Sequence, residues 1–238
     1  MLKEAMEYLM ELGKPHVQPI GDHAYSDKPL HRIDKYIPKA NTLCISTLSG
    51  LIDYIESETD TLSDRMIIEV VSPTKVRMYS ELDINRDREY VMDVYAVLPE
   101  FNFDYFYEQE NFCIGLQSKF IENEDRNLLL KFAGTVESGT IAQYGDDGVS
   151  QKATIKTGIA SKGEALIPNP VKLKPYRTFL EVEQPESEFI FRMKEGPFGI
   201  LCAIFEADGG AWRMEAVQNI KSYLCEKLAE KPQFTIIA

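Results

Sequence analysis

The stretch SEFIFRMKEGPFGILCAIFEADGGAWRMEAVQNIKSYL, Ser187 to Leu224, decides the fold class. SEFIFRMKEG and GILCAIFEA are runs rich in β-branched and aromatic residues, joined through Glu195, Gly196 and Pro197, which is the pattern of two consecutive strands. The second run is apolar almost throughout, so it is expected to be central in its sheet. After Asp208 the period changes. Val217, Ile220, Leu224 and Leu228 make one helical face with Ala216 and Tyr223 beside it, while Gln218, Lys221, Ser222 and Glu226 look outward. Strands that feed a helix folded back on their sheet predict an α+β protein. The expected architecture is a mixed, mostly antiparallel sheet with flanking helices, including a long C-terminal helix packed on the sheet.

The glycine turn inside this stretch has two readings. A strand, a glycine turn and a helix N-terminus together can bind phosphate through free N–H groups. Here Asp208 stands at the expected N-cap, where its carboxylate occupies those groups and repels an anion, and Gly209 and Gly210 supply the sharp turn. Neither G-x-x-x-x-G-K-[ST] nor G-x-G-x-x-G is present. The segment is therefore read as a helix start, with Trp212 packed into the sheet. The alternative is that Trp212 and Arg213 line a ligand or partner site, since both types are favoured binding anchors.

Outward from this core, Leu2, Ala5, Met6 and Leu9 predict an N-terminal helix that Gly13 and Pro15 stop. Lys14 to Ala40 has no clear period and carries prolines and all three histidines, so it is read as an extended arm. Residues 1–41 are taken as helix plus arm, and residues 42–238 as a single α+β domain without a flexible linker. Leu48, Leu51, Ile52 and Ile55 predict a helix capped by Thr47 or Ser46 and ending near Glu58. RMIIEVV, SPT and KVRMYSEL read as a hairpin, and EYVMDVYAVL as a strand covered on both sides. In the aromatic stretch that follows, Phe106, Cys113, Leu116, Phe120 and Ile121 are expected to line a helix starting near Asp104 or Glu108, with another helix running to Gly134. TIAQY and SQKATIKTG are expected to pair through the Gly145-Asp146-Asp147-Gly148 turn. In PVKLKPYRTFLEVEQP, Val171 and Leu173 alternate with Lys172 and Lys174, a strand with one wet basic face. QFTIIA is the last strand.

Composition narrows the function classes. The 238 residues are 44% hydrophobic and 27% charged, ordinary for a globular protein long enough to fold without a disulfide or metal. No run approaches the about 20 apolar residues of a membrane span. Glu4, Glu7 and Glu11 interrupt any secretory signal, so a cytoplasmic protein is expected. The net charge of −12 argues against a generic nucleic-acid binder. Acids dominate from Glu81 to Asp125 and bases from Lys152 to Arg177, which suits solvated faces, pairing within or between subunits, or a local basic patch. Cys44, Cys113, Cys202 and Cys225 sit in apolar neighbourhoods and read as buried reduced thiols. His16, His23 and His31, with Asp22, Asp27 and Asp34, match no familiar metal spacing. Catalytic templates, among them G-x-S-x-G and H-E-x-x-H, are absent, and the acid pairs Glu181–Glu183 and Glu206–Asp208 are unremarkable in so acidic a chain. The expectation is a non-enzymatic protein without a cofactor.

Three blocks carry a resemblance: GDDGVSQKATIKTGIA, IPNPVKLKPYRTFLEVEQPESEFIFRMK and FEADGGAWRMEAVQNIKSYL. Over roughly residues 125 to 230 the chain resembles the YfdQ-like family of phage and prophage proteins. The resemblance implies a phage or prophage origin and expression in the bacterial cytoplasm; it implies no known activity and no site residues. The leading expectation is a protein that assembles with itself into a symmetric homo-oligomer, a ring or shell, through its N-terminal helix and arm, a protruding hairpin around Ser72 and Pro73, and its complementary acidic and basic segments. The first alternative is a single-stranded DNA accessory protein using Lys172, Lys174, Tyr176 and Arg177. The second is a host-defence antagonist that sequesters a host protein or a nucleotide. Candidate contact residues are those four together with Trp212 and Arg213.

Overall fold

The structure is a computed structural model that describes residues 2–20, 23–29, 39–136, 152–156, 162–166 and 169–238. The chain divides into two compact units, Met1–Lys39 and Ala40–Ala238.

In the first unit, helix α1 (Leu2–Gly13) ends where sequence predicts. Lys28 closes its end: Nζ donates to Leu12 O in the last turn and, at 3.1 Å, to Lys14 O just past the helix. The expected extended arm is corrected over its first part, and its residues 30–38 lie outside the described residues. Strands β1 (Val17–Ile20) and β2 (His23–Ser26) pair antiparallel, Val17 with Ser26 and Ile20 with His23. Asp27 closes the base by accepting from His16 N at 2.6 Å. Four-residue strands leave too few positions for a period of 2 to register, and Pro19 argues against a strand. Among the described residues of this unit every side chain is exposed except that of Lys28, which is half-buried.

The second unit runs β3 (Leu43–Ile45), α2 (Leu48–Ser57), β4 (Met66–Ser72), β5 (Lys75–Ser80), β6 (Tyr90–Tyr95), β7 (Tyr107–Glu108), α3 (Gln109–Lys119), β8 (Phe120–Ile121), α4 (Glu124–Thr135), β9 (Lys152–Lys156), β10 (Lys162–Leu166), β11 (Val171–Pro175), β12 (Ser187–Gly196), β13 (Gly199–Glu206), α5 (Trp212–Lys227) and β14 (Phe234–Ile237). Two five-stranded sheets form, ordered β14-β4-β5-β6-β3 and β7-β13-β12-β11-β8. Most pairings are antiparallel; β14 with β4 and β3 with β6 are parallel. The fold is α+β, as the strand-strand-helix stretch requires.

Each sheet has its own core. On the first, Leu48, Leu51, Ile52 and Ile55 of α2 and Ile220 and Leu224 of α5 pack on Met66, Ile68, Val76, Met78, Met92 and Val94. Thr47 caps α2 by accepting from Gly50 N at 3.2 Å, and Glu58 ends it in the left-handed region at φ 49°. On the second, Phe112, Leu116, Leu129 and Phe132 of α3 and α4 pack on Val171, Leu173, Phe189, Phe191, Cys202 and Ile204. Burying one such side chain is worth about 1.5–3 kcal/mol. Two segments return from the second core to the first. α5 follows β13 of the second sheet yet buries its stripe on the first, and Phe179 and Val182, just after β11, join the first core.

Several expectations are corrected. β12, not β13, is the middle strand of its sheet, and the outer neighbour of β13 is the two-residue β7. β6 is fully buried on one face only: Met92 and Val94 are inside, while on the other face Val91 and Asp93 are half-buried and Tyr95 is exposed. Phe106 lies before α3, and Phe120 and Ile121 form β8 instead of continuing the helix. β9 pairs with β10, a strand not anticipated because Gly163 and Glu164 weaken its pattern. TIAQY and the Gly145–Gly148 turn lie outside the described residues. Cys44 and Cys225 are exposed rather than buried; Cys202 is buried, and burial pushes its thiol up to about 12.

Candidate functional site

The parity of β11 sorts the basic segment into two faces. Val171, Leu173 and Pro175 point inward while Lys172 is exposed and Lys174 half-buried. The alternation continues past the strand, so Tyr176 stays half-buried and Arg177 falls on the inner side, 7% exposed. A buried guanidinium needs partners, and the end of β13 and start of β12 supply them. Arg177 Nη1 donates to Glu206 Oε1 at 2.8 Å, and Nη2 donates to Ser187 Oγ. Ser187 Oγ donates in turn to Asp208 Oδ2 at 2.7 Å. Asp208 also accepts from Gly210 N at 2.9 Å and Trp212 N at 3.4 Å. Its expected place as N-cap is corrected: the cap position of α5 is Ala211, because the two glycines and Ala211 add a turn between Asp208 and the helix, and the carboxylate bonds that turn and the first helical N–H. Gly209 and Gly210 sit at φ 63° and 81°, the left-handed region that glycine enters without penalty.

Trp212 links the two clusters that sequence reading kept apart. The Arg177 guanidinium lies 4.0 Å from its ring centroid and that of Arg213 lies 5.0 Å away, both within cation–π range. Nε of Arg177 and Nε1 of Trp212 are buried without a partner, each at a cost of about 1–3 kcal/mol. Burial lowers the Arg177 pKa to about 10 against the pull of Glu206 and Asp208, so it remains a cation at neutral pH. Burial raises the Asp208 carboxyl, but hydrogen bonds from Ser187, Gly210 and Trp212 and the Arg177 charge outweigh it. Its pKa falls below the ordinary value. The arrangement is a charge-balanced clamp. Gln184 Oε1 accepts from Arg177 N and Thr178 N, at 3.0 and 3.1 Å, and Thr178 Oγ1 donates to Pro73 O at 2.6 Å, which ties the clamp to the β4–β5 hairpin.

Of the six candidate residues, Arg177, Trp212 and Arg213 come together; Lys172, Lys174 and Tyr176 do not join them. Lys174 pairs with Glu183 at 3.3 Å. Lys172 meets the acidic segment through its backbone: its N donates to Asp125 Oδ2 at 2.6 Å and its carbonyl accepts from Asn123 Nδ2 at 2.9 Å. Tyr176 does not reach the Trp212 ring stack but shares with Arg177 a cleft of about 440 Å³ that Lys119, Asn102 and Pro175 also line.

A second surface escaped sequence reading. On the face of β5 and β6 turned away from α2 and α5, Arg77 grips Asp93 through Nε–Oδ1 at 2.7 Å and Nη2–Oδ2 at 3.3 Å. Lys75 stands 3.7 Å from Asp93, and Tyr95 Oη donates to it at 3.0 Å. The hydrogen bonds from Arg77, with those from Tyr95, hold the Asp93 carboxyl below its ordinary pKa against burial. Three cations lie over three rings: Lys75 over Tyr95, Arg77 over Tyr90 and Arg88 over Tyr79. The signal was the shared parity of Lys75, Arg77 and Tyr79 on one strand and of Asp93 and Tyr95 on its neighbour.

Among the described residues no cluster of His, Cys, Asp and Glu is arranged for a metal, and no helix is long and apolar enough to cross a membrane. His16 and His23 are exposed, and His31 lies outside the described residues. The fold and its surfaces define an α+β protein with two helix-backed sheets. Comparison with protein-family models, curated proteins and solved structures finds no match.

Proposed function

We propose that the chain is a non-enzymatic, phage-encoded protein of the bacterial cytoplasm that acts by assembling into a symmetric homo-oligomer, a ring or shell. One observation carries this reading. Met1–Lys39 forms a helix and a hairpin, yet among its described residues no apolar side chain is buried: Met6, Leu9, Met10, Leu12, Val17, Ile20 and Tyr25 are all exposed. A segment of this size cannot hold such surface in water without a partner that covers it. Closed symmetry makes another copy of the chain the natural partner. The phage origin and cytoplasmic setting rest on the sequence resemblance alone. Light scattering on the full chain and on a chain lacking residues 1–39 tests the reading. A discrete oligomer that falls to monomer on truncation is expected; a monomeric full chain, or an oligomer that survives truncation, overturns it.

A second reading, a single-stranded DNA accessory protein, is favoured by the β5–β6 face and not by the basic segment, where Lys174 is paired and Arg177 is buried. Exposed tyrosines flanked by Arg and Lys are the elements of a base-stacking platform. A low-salt titration with single-stranded DNA tests it: binding weakened by Tyr90→Ala and Tyr95→Ala supports it, and no binding removes it.

A further inference from the structure

We infer that α1 is the assembly helix: its apolar face meets the same face of α1 from other copies, and three or more such helices close a bundle. The inference rests on the self-assembly reading and adds the surface buried and a minimum copy number.

The spacing comes first. Ala5, Leu9 and Leu12 are separated by four and three residues, the a and d positions of a heptad in which Leu9 is a. Met6 then falls at e and Met10 at b. These side chains are well exposed on α1, Met6 by 60%, Leu9 by 66%, Met10 by 70% and Leu12 by 55%. A helix of 12 residues is at the lower limit for independent stability, so it needs packing on this face to persist.

Charge selects the occupant. Glu4, Glu7 and Glu11 take positions c, f and c, on the side away from the seam. The flanking e and g positions hold Met6, Gly13 and Tyr8, none charged. Two copies of a chain with net charge −12 repel one another over most approaches. This face brings no like charge into contact, and its apolar residues complement themselves.

Width sets the number. A two-stranded coiled coil buries a strict a/d seam, whereas the helices of a larger bundle bury a broader stripe that includes e or g. Pairing of only two helices would leave Met6 and Met10 in water. A bundle of three or more covers Met6 as well as the seam.

Native mass spectrometry on the full chain tests this with Leu9→Glu, which charges the seam, and Glu7→Gln on the opposite side as control. The full chain and Glu7→Gln are expected to contain three or more copies. Leu9→Glu is expected to be monomeric, with unchanged emission from Trp212, the only tryptophan, reporting that the second unit remains folded. Should Leu9→Glu keep the full mass while removal of residues 1–39 abolishes it, the bundle is wrong and the self-assembly reading stands. A dimeric full chain overturns the bundle alone, and a monomeric full chain overturns both.

Discussion

Arg177 is sandwiched between carboxylates and a tryptophan, and what its removal leaves behind sets the consequence. Arg177→Ala strands Glu206 in a half-buried site and takes one cation from the face of Trp212. Breaking one side of a buried ion pair costs about 3–5 kcal/mol, so chemical denaturation should show a loss near that range. Arg177→Lys should recover little, because an ammonium cannot reach Glu206 and Ser187 together while stacking on the ring. Asp208 gives a pH signature. Its folded pKa lies below its unfolded value, so its contribution is complete above the unfolded value and is lost as pH falls through the folded one. Asp208→Asn should therefore lower stability at neutral pH and flatten the acid limb of stability against pH. The two glycines separate strain from crowding. Gly209→Ala and Gly210→Ala both force a left-handed L-residue, at about 1 kcal/mol each. Only at Gly210 does the new methyl meet the Arg213 guanidinium, a flexible side-chain end that swings aside. Gly210→Ala should thus shift Trp212 fluorescence, and Gly209→Ala should not.

Between elements, the β5–β6 face rests on cross-strand pairs. Arg77 and Asp93 stand opposite each other in register and bond through two contacts while partly shielded from water. A double-mutant cycle with Arg77→Ala and Asp93→Ala should return a coupling of about 1 kcal/mol, at the upper end for pairs near the surface. Much of the element order could be read from sequence for a physical reason. Leu48, Leu51, Ile52 and Ile55, and Ile220 and Leu224, repeat at helical spacing because one face of each helix meets a core. β12 and β13 read as strands because Phe189, Phe191 and Met193 alternate inward. The failures are equally physical. β1, β2 and β10 are too short, or too rich in Pro, Gly and Glu, for alternation to stand out. Phe120 begins a strand because β11 is there to pair with it, which no local pattern encodes. The clamp was half visible: Arg177 and Trp212 could each be named, but their stacking depends on α5 leaving one sheet for the other. The Tyr–Arg face could not be seen until the register of β5 against β6 was fixed.

For the whole molecule, charge opposes the proposed assembly and apolar burial drives it, which gives salt a sign. Copies carrying −12 repel through bulk solvent, and that repulsion is screened over about 10 Å at 0.1 M salt. The α1 face brings no ion pair that salt would weaken, and salt leaves hydrophobic burial intact. Association should therefore strengthen as sodium chloride rises from about 0.02 to 0.3 M, in sedimentation velocity at fixed protein concentration. A complex with single-stranded DNA must respond the other way, because its affinity derives from counterions released by Lys and Arg. An assembly that dissolves as salt rises over this range would mean that ion pairs hold the copies together. The acidic stretch Glu81–Asp125 of one subunit against bases of another would then be the interface, and α1 would not.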